Sequence, residues 1–330
     1  MARRWSSAFM SVLLVASLLA ALVLALLRVT DPTSRRLIEL VSLTPLGVPV
    51  AGVAVLATAW WAFRRRRRTP ALLAAAGLLV LHAWWLAPLY AGARPGSPSS
   101  SSFVVLAQNF EYGDPAALVD LVREEGVDVL VLTDVDDARV SELLAAGVEQ
   151  VLPHAAGVGD NGSVVLSRIP VRRTTLLYEE SESRLVDLEA PGIGIVTLAA
   201  LHTAPPYRPD DWRADHEQIR TALATLRDDT ARAIVLAGDL NATLAHAPVR
   251  RLLDLGFDDA AAQVNAGLSP TWPAGGHERR LGVAVPTFAA IDHVLTSPRL
   301  MVTAATTPEL TNADHLGVLA TVSGADPARG

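Results

Sequence analysis

Residues 103–330 of this 330-residue chain read as a layered α/β fold with its helices outside, set behind three apolar helical spans. Three observations carry that reading. Short, nearly continuous apolar runs alternate with amphipathic patterns that begin on helix-capping residues. Polar residues concentrate where the apolar runs stop. The apolar excess of the whole chain, a mean hydropathy of +0.32, lies in its first hundred residues.

The N-terminal part comes first in chain order. Residues 7–27 carry no charge and match the roughly 20 apolar residues that a bilayer crossing needs. A second stretch, about 37–63, is interrupted by Pro45, Gly47 and Pro49, and a third runs from about 70 to 90. Two further spans after the first argue for a retained anchor over a cleaved signal peptide. Three spans put the N-terminus and the 63–70 loop on one face, and that face carries Arg3, Arg4 and the arginines at 64–68. The positive-inside rule then places residues 91–330 outside the cytoplasm, as part of a multi-pass cell-membrane protein. Between two spans the 64–68 run is a topology signal with anionic-lipid contact, not a nucleic-acid patch. Trp60, Trp61, Trp84, Trp85 and Tyr90 fall near span ends, as interfacial aromatics or as helix packing.

Residues 1–91 thus form the membrane anchor, and 92–102, GARPGSPSSSS, is a Gly/Pro/Ser linker. The remaining 103–330 suffice for one large domain. Of the 28 basic and 34 acidic residues, 11 and 2 lie before residue 103, which leaves 17 and 32 and a net charge of −15 for the domain. Proteins that track a nucleic-acid backbone usually show a basic footprint, and this domain in total does not. With no cysteine in the chain, disulfides, thiolate nucleophiles and Cys-ligated metals are excluded.

Within the domain, 102–110 reads as a strand, followed by a helix over 114–126 with Asp114 as N-cap, Pro115 at its first position and Gly126 as its stop. Residues 127–135 form a strand buried on both faces. Further strands are expected at 163–168, 193–202, 233–239, 290–297 and 317–323, and helices at 138–147, 209–228 and 246–255.

Candidate chemistry sits at the strand ends. Asn109 closes the first strand, Asp134 the second, and His202 the run AALH. AIVLAGDLNAT stops abruptly at Gly238, Asp239 and Asn241, and residues two apart on an extended chain point the same way. A carboxylate beside a carboxamide suits a divalent cation and a phosphate, although Gly-Asp-x-Asn is also good turn chemistry. Asp292 opens IDHVLTS, and Asp314-His315 precedes the last strand.

The ordered set QNF, VLVLTDV, SVVLSRIP, LHTAP, GDLNAT, IDHVLTS and ADH, spanning about 103–323, resembles the endonuclease/exonuclease/phosphatase (DNase I-like) superfamily. The resemblance implies a four-layer α/β sandwich, two packed mixed β-sheets flanked by helices, and Mg²⁺- or Mn²⁺-dependent hydrolysis of phosphoester bonds. It implies a metal side formed by Asn109, Asp134 and Asp314, and a catalytic set of His202, Asp239, Asn241, Asp292 and His315. His202 would stabilise charge on a phosphoryl oxygen, Asn241 would hold a phosphate oxygen, and Asp292 would fix the His315 ring. Either Asp239 or His315 would be the base. Asp134 departs from the family pattern, which has Glu there; Asp also binds hard cations but is one methylene shorter.

The expected function is a membrane-anchored, divalent-metal-dependent phosphoesterase acting outside the cytoplasm, with a lipid-linked phosphate favoured by the anchor and the acidic domain. An extracytoplasmic nuclease is the alternative, and a non-catalytic binding or scaffold protein that retains the fold is the alternative of another class. Arg168 reads as loop support, His293 as packing and Asp258-Asp259 as a solvated loop. His154, His216, His246 and His277 lack the spacing of a metal set.

Overall fold

The computed structural model describes residues 2–65, 70–92, 98–159, 162–178 and 181–325. The chain divides into two compact units, residues 1–88 with 245–247, and residues 89–244 with 248–330.

The first unit contains helices α1 (Ala2–Thr30), α2 (Arg35–Val41), α3 (Gly47–Arg65) and α4 (Pro70–Leu86), with the short α5 (Pro88–Ala91) following. Two stretches are long and apolar enough to cross a bilayer, Met10–Thr30 and Thr44–Phe63. The third expected span is corrected: α4 has only 17 residues, and the helix breaks at Ala87, where Pro88 disfavours helical backbone in the residue before it. The second is also shorter than its apolar run, because Thr44–Leu46 forms a single 3₁₀ turn ahead of α3. His82 of α4 is buried and its Nε2 meets the Ala21 carbonyl of α1 at 3.0 Å. A Cβ on Gly47 would fall 2.1 Å from that ring, so glycine is what lets α3 and α4 close on it. The arginine run 64–68 falls at the end of α3 and in residues outside those described.

The second unit is built on two six-stranded mixed sheets. Its strands in chain order begin with β1 (Pro98–Asn109), β2 (Val129–Thr133), β3 (His154–Ala156), β4 (Val164–Ser167) and β5 (Val171–Leu176). They continue with β6 (Arg184–Ala190), β7 (Gly194–His202), β8 (Ala233–Asp239) and β9 (Asp258–Asp259). Last come β10 (Arg279–Arg280), β11 (Val283–Ala284), β12 (Asp292–Thr296), β13 (Leu300–Thr306) and β14 (Val318–Ala325). The helices are α6 (Pro115–Glu124), α7 (Asp137–Ala145), α8 (Pro209–Arg227), α9 (Ala247–Asp254) and α10 (Ala260–Gln263).

One sheet runs β13-β14-β1-β2-β4-β3 and the other β5-β6-β7-β8-β12-β9, with β10-β11 a separate hairpin. Each large sheet has one parallel pair at its centre, β1–β2 and β7–β8. The apolar runs are continuous because alternate residues bury into different cores. Phe103, Val105 and Ala107 of β1 and Val129 and Val131 of β2 pack between the sheets against Val196, Leu198, Val235 and Val294. Leu106, Leu130 and Leu132 face the other way, onto Leu118, Val122, Val140 and Leu143 of α6 and α7. Asp114 caps α6 by accepting from the Ala117 N–H at 2.9 Å, and Asp136 caps α7 by accepting from Arg139 N–H at 2.8 Å. Pro98 and the serines at 99–102 belong to β1, whose first residue pairs with Ala325, so strand begins inside the expected linker; residues 93–97 lie outside those described.

Register places the strand-end residues together. His202 is opposite Asp239 across the parallel pair, and Asp292 is opposite Asp239 across the antiparallel one. Asn109 is opposite Thr133, one residue before Asp134. Gly238 sits between Leu201 and His293 with φ +137, and a Cβ there would lie 2.0 Å from the Leu201 carbonyl oxygen. Backbone on the neighbouring strand has no room to retreat. Gly238→Ala should therefore cost about 3 kcal/mol through overpacking and backbone strain, read as a lower denaturation midpoint; an unchanged midpoint contradicts the crowding.

Candidate active site

Asp239 is the centre of the site, 1 % exposed at the mouth of β8. Its Oδ1 accepts from the Asn241 backbone N–H at 2.7 Å, an Asx turn that ends the strand. Its Oδ2 accepts from the Asn109 carboxamide at 3.1 Å, and the same Asn109 nitrogen donates to Asp134 Oδ2 at 2.6 Å. Asn109 thus joins the two carboxylates, while its Oδ1 accepts from Glu111 N–H at 3.0 Å. Turn chemistry and site chemistry coincide in GDLN. Asn241, at φ +45, donates its carboxamide to the Thr203 carbonyl at 2.9 Å, and its own carbonyl accepts from the Trp212 indole at 3.0 Å.

On one flank stands His202. Its Nδ1 is 2.7 Å from Glu182 and its Nε2 is 3.4 Å from Asp134. Burial works against a charged ring here, but hydrogen bonds to Asp134 and Glu182 outweigh it and hold the His202 pKa well above the usual value. Glu182 is itself lowered, first by its hydrogen bond to His202. For Asp134 burial pushes the pKa upward, and the His202 and Asn109 hydrogen bonds bring it below the ordinary value. Asp134 adopts φ +49, a left-handed backbone that is strained for a non-glycine residue.

On the other flank, His315 Nδ1 lies 2.8 Å from Asp292 Oδ2, and its Nε2 lies 3.9 Å from Asp239. Burial opposes the imidazolium, but Asp292, then Asp239 and Asp314, outweigh it and push the His315 pKa up to about 10. Burial and the Asp292 charge push Asp239 up to about 6, against the pull of His315 and His202. Thr271 sets this flank. Its hydroxyl accepts from the N–H groups of Ile291 and Asp292, and its carbonyl accepts from Leu316 N–H. Gln108 donates to the His315 carbonyl at 3.3 Å.

The fold therefore brings Asn109, Asp134, His202, Asp239, Asp292 and His315 into one cluster, with Asn241 on the turn beside it. Two sets of side chains have ligand atoms within 4.8 Å of one another, Asp134–His202–Asp239 and Asp239–Asp292–His315. Asp314 belongs to neither; burial raises its pKa and Glu111 adds to the rise, while its carbonyl accepts from Ala274 N–H. Glu182, Thr271 and Gln108 were not singled out from the sequence. Glu182 lies in an acidic stretch of the sequence, and only the fold sets it beside His202.

Other expectations resolve plainly. Arg168 supports a loop through Asp128 at 3.1 Å. His293 is buried, with Nε2 2.8 Å from the Ala242 carbonyl and Nδ1 3.6 Å from Asp259. The solvated-loop reading of Asp258-Asp259 is corrected, since Asp259 is buried and caps α10 by accepting from Ala262 N–H.

The profile of the Endonuclease/Exonuclease/phosphatase family matches residues 106–315. The chain belongs to the endonuclease/exonuclease/phosphatase family. Members of that family are generally hydrolases of phosphate esters that use divalent metals. The fold is similar to an endonuclease/exonuclease/phosphatase from Beutenbergia cavernae, at 21% identity over 68% of this chain and 72% of that one, TM-score 0.52. It is also similar to D. rerio TDP2 complexed with single-strand DNA product, at 15% identity over 68% of this chain and all of that one, TM-score 0.54. A third is the mannosyl-6-phosphatase Bt3783 of Bacteroides thetaiotaomicron, at 13% identity over 67% and 99% of the two chains, TM-score 0.51. A search of curated protein sequences found no match.

The donor set fits the divalent metal of the family. Carboxylate oxygens of Asp134 and Asp239 are hard ligands, and Asp292 and Asp314 each present a buried Oδ1 with no hydrogen-bond partner among the described residues. Carboxylates outnumber imidazoles, so a bound cation offsets the surplus negative charge.

The His315 shift predicts a pH dependence of stability. A folded pKa near 10, above the unfolded value near 6.5, gives a contribution complete below pH 6.5 and lost as pH rises through 10. Asp292→Asn should remove that alkaline loss, seen as a flatter plot of unfolding midpoint against pH between 7 and 10. An unchanged slope would mean that another group titrates.

Proposed function

We propose that this chain is a divalent-metal-dependent phosphoesterase, anchored by its N-terminal helices, whose substrate is a lipid-linked phosphate. One observation carries the catalytic part: Asp239 is shared between an Asn109-bridged carboxylate pair and the Asp292–His315 pair.

Asp134 would hold the metal together with Asn109 and Asp314, leaving Asp239 free to act on the attacking water. The metal, when bound, would neutralise charge developing on the phosphoryl oxygens. The acid–base question left open by the motifs takes a direction from the electrostatics. His315 is held as its cation through neutral pH, so it is poorly suited to accept a proton there. Asp239 is ionised above a pKa of about 6 and is the better base. The 3.9 Å between His315 Nε2 and Asp239 Oδ2 is too long for a direct hydrogen bond and short enough for one oxygen to touch both. In the proposed step, a water oxygen bonds to phosphorus in line with the departing ester oxygen, and the water's proton passes to Asp239. The His315 and His202 cations offset the charge that builds on the phosphoryl group.

The substrate class rests on the domain's net charge of −15, which disfavours polyanionic nucleic acid, and on the apolar helices. The anchored reading rests on the two helical stretches long and apolar enough to cross a bilayer, Met10–Thr30 and Thr44–Phe63.

In a screen with Mg²⁺ or Mn²⁺, the full chain should hydrolyse lipid phosphates in preference to DNA and lose activity in EDTA. Asp239→Ala and His315→Ala should each lower kcat at least about 10²-fold. Preference for DNA overturns the substrate class, and no hydrolysis of any phosphoester overturns the enzyme. Asp292→Asn should move the alkaline limb of kcat/KM to lower pH, because His315 then loses its proton earlier.

A further inference from the structure

The hairpin β10–β11 stands apart from both large sheets. Arg279 pairs with Ala284 and Arg280 with Val283, leaving Leu281 and Gly282 as a two-residue tip. Both tip residues have positive φ, +51 and +82, the backbone of a type I′ turn. Such a turn favours Asn, Asp or Gly at its first central position, and a leucine there is strained. Leu281 is also fully exposed, at 105 %, and Val283 is 70 % exposed. Turn formation and core packing therefore both fail to account for this leucine.

The tip is charged as well as apolar. Arg279 and Arg280 are exposed, and Arg279 donates to the Gly282 carbonyl at 2.7 Å, bracing the turn. Two adjacent arginines in a domain of net charge −15 make a local positive point. The base of the hairpin is tied to the rim of the active site. Val285 N–H donates to the Glu278 carbonyl, and His277 stacks on Tyr112 at 4.9 Å. His277 Nε2 lies 2.7 Å from the Asn312 carbonyl, two residues before Asp314.

We propose that this hairpin docks into an anionic lipid surface, with Leu281 and Val283 entering the acyl boundary and Arg279 and Arg280 meeting the headgroups. A protein partner is a poorer fit, because a stable interface buries about 800 Å² per partner and two paired residues on each strand present far less. A bilayer needs only a few apolar side chains flanked by basic ones. Repulsion between an anionic surface and the rest of the acidic domain leaves this tip as the favoured point of approach. The inference deepens the lipid-phosphate reading and rests on its membrane part, since docking here holds the site's rim at headgroup level.

The test uses the full chain, which has no cysteine of its own, so a single introduced thiol is unique. Leu281→Cys carrying an environment-sensitive fluorophore is measured in vesicles of phosphatidylcholine with and without phosphatidylglycerol, using lipid-borne quenchers for depth. A label at Ser141→Cys, an exposed position of α7, is the aqueous control, and one at Leu19→Cys in α1 reports the anchor separately. The expected result is an apolar, lipid-quenched Leu281 label in the anionic vesicles, with Ser141 remaining aqueous. Arg279→Glu and Arg280→Glu should each lower the docked fraction, with loss of the positive charge alone worth about fivefold. An aqueous Leu281 label in anionic vesicles overturns the proposal, whatever Leu19 reports. So does a Leu281 label shielded equally in detergent as protein concentration rises, which would indicate contact between copies. Depth is read without turnover, so failure of the hydrolase reading leaves this result interpretable.

Discussion

A carboxylate buried at the end of a central strand is the constraint around which this domain is organised. Asp239 loses most of its hydration, and an isolated charge there would be costly. The cost is met from three directions: the strand's own turn supplies the Asn241 N–H, β1 supplies the Asn109 amide, and the flanks supply the His202 and His315 imidazoles, His315 being held by Asp292. Strand register makes this possible. His202, Asp239 and Asp292 occupy one row across three neighbouring strands, so no loop has to bring them together. Gly238 leaves space for that row by carrying no side chain beside the Leu201 carbonyl.

The same economy governs the residues that leave the strands. Asp134 and Asn241 both take left-handed backbone immediately past a strand end. Each departs from the pleat at once, which keeps its polar group at the sheet's rim and out of the apolar core. The shorter side chain of Asp134 still reaches Asn109 at 2.6 Å, so the substitution of Asp for the Glu of the family pattern leaves it joined to the rest of the cluster.

Much of this was legible in the sequence because the relevant signals are local. The apolar runs of β2 and β8, the Asp114-Pro115 start of α6 and the polar strand ends all follow from short-range patterns. Strands β5 and β13 were missed because their exposed residues, Arg173 to Leu176 and Thr303 to Ala304, dilute the apolar signal of an edge strand. Glu182 and Thr271 were missed for a different reason. They act through contacts across sequence separations of 20 and 21 residues that no window reveals. The third span failed on length, since apolar composition continues through Ala87 while the helix does not.

The first strand of the domain has a mechanical consequence. β1 lies inside its sheet, paired with β14 on one side and β2 on the other. Tension applied upstream of Pro98 would pull along the strand axis and load both ladders in shear. Hydrogen bonds loaded in shear must rupture together, whereas a peeled edge strand gives them up one at a time. Strand β1 is therefore the part of its sheet least able to unzip.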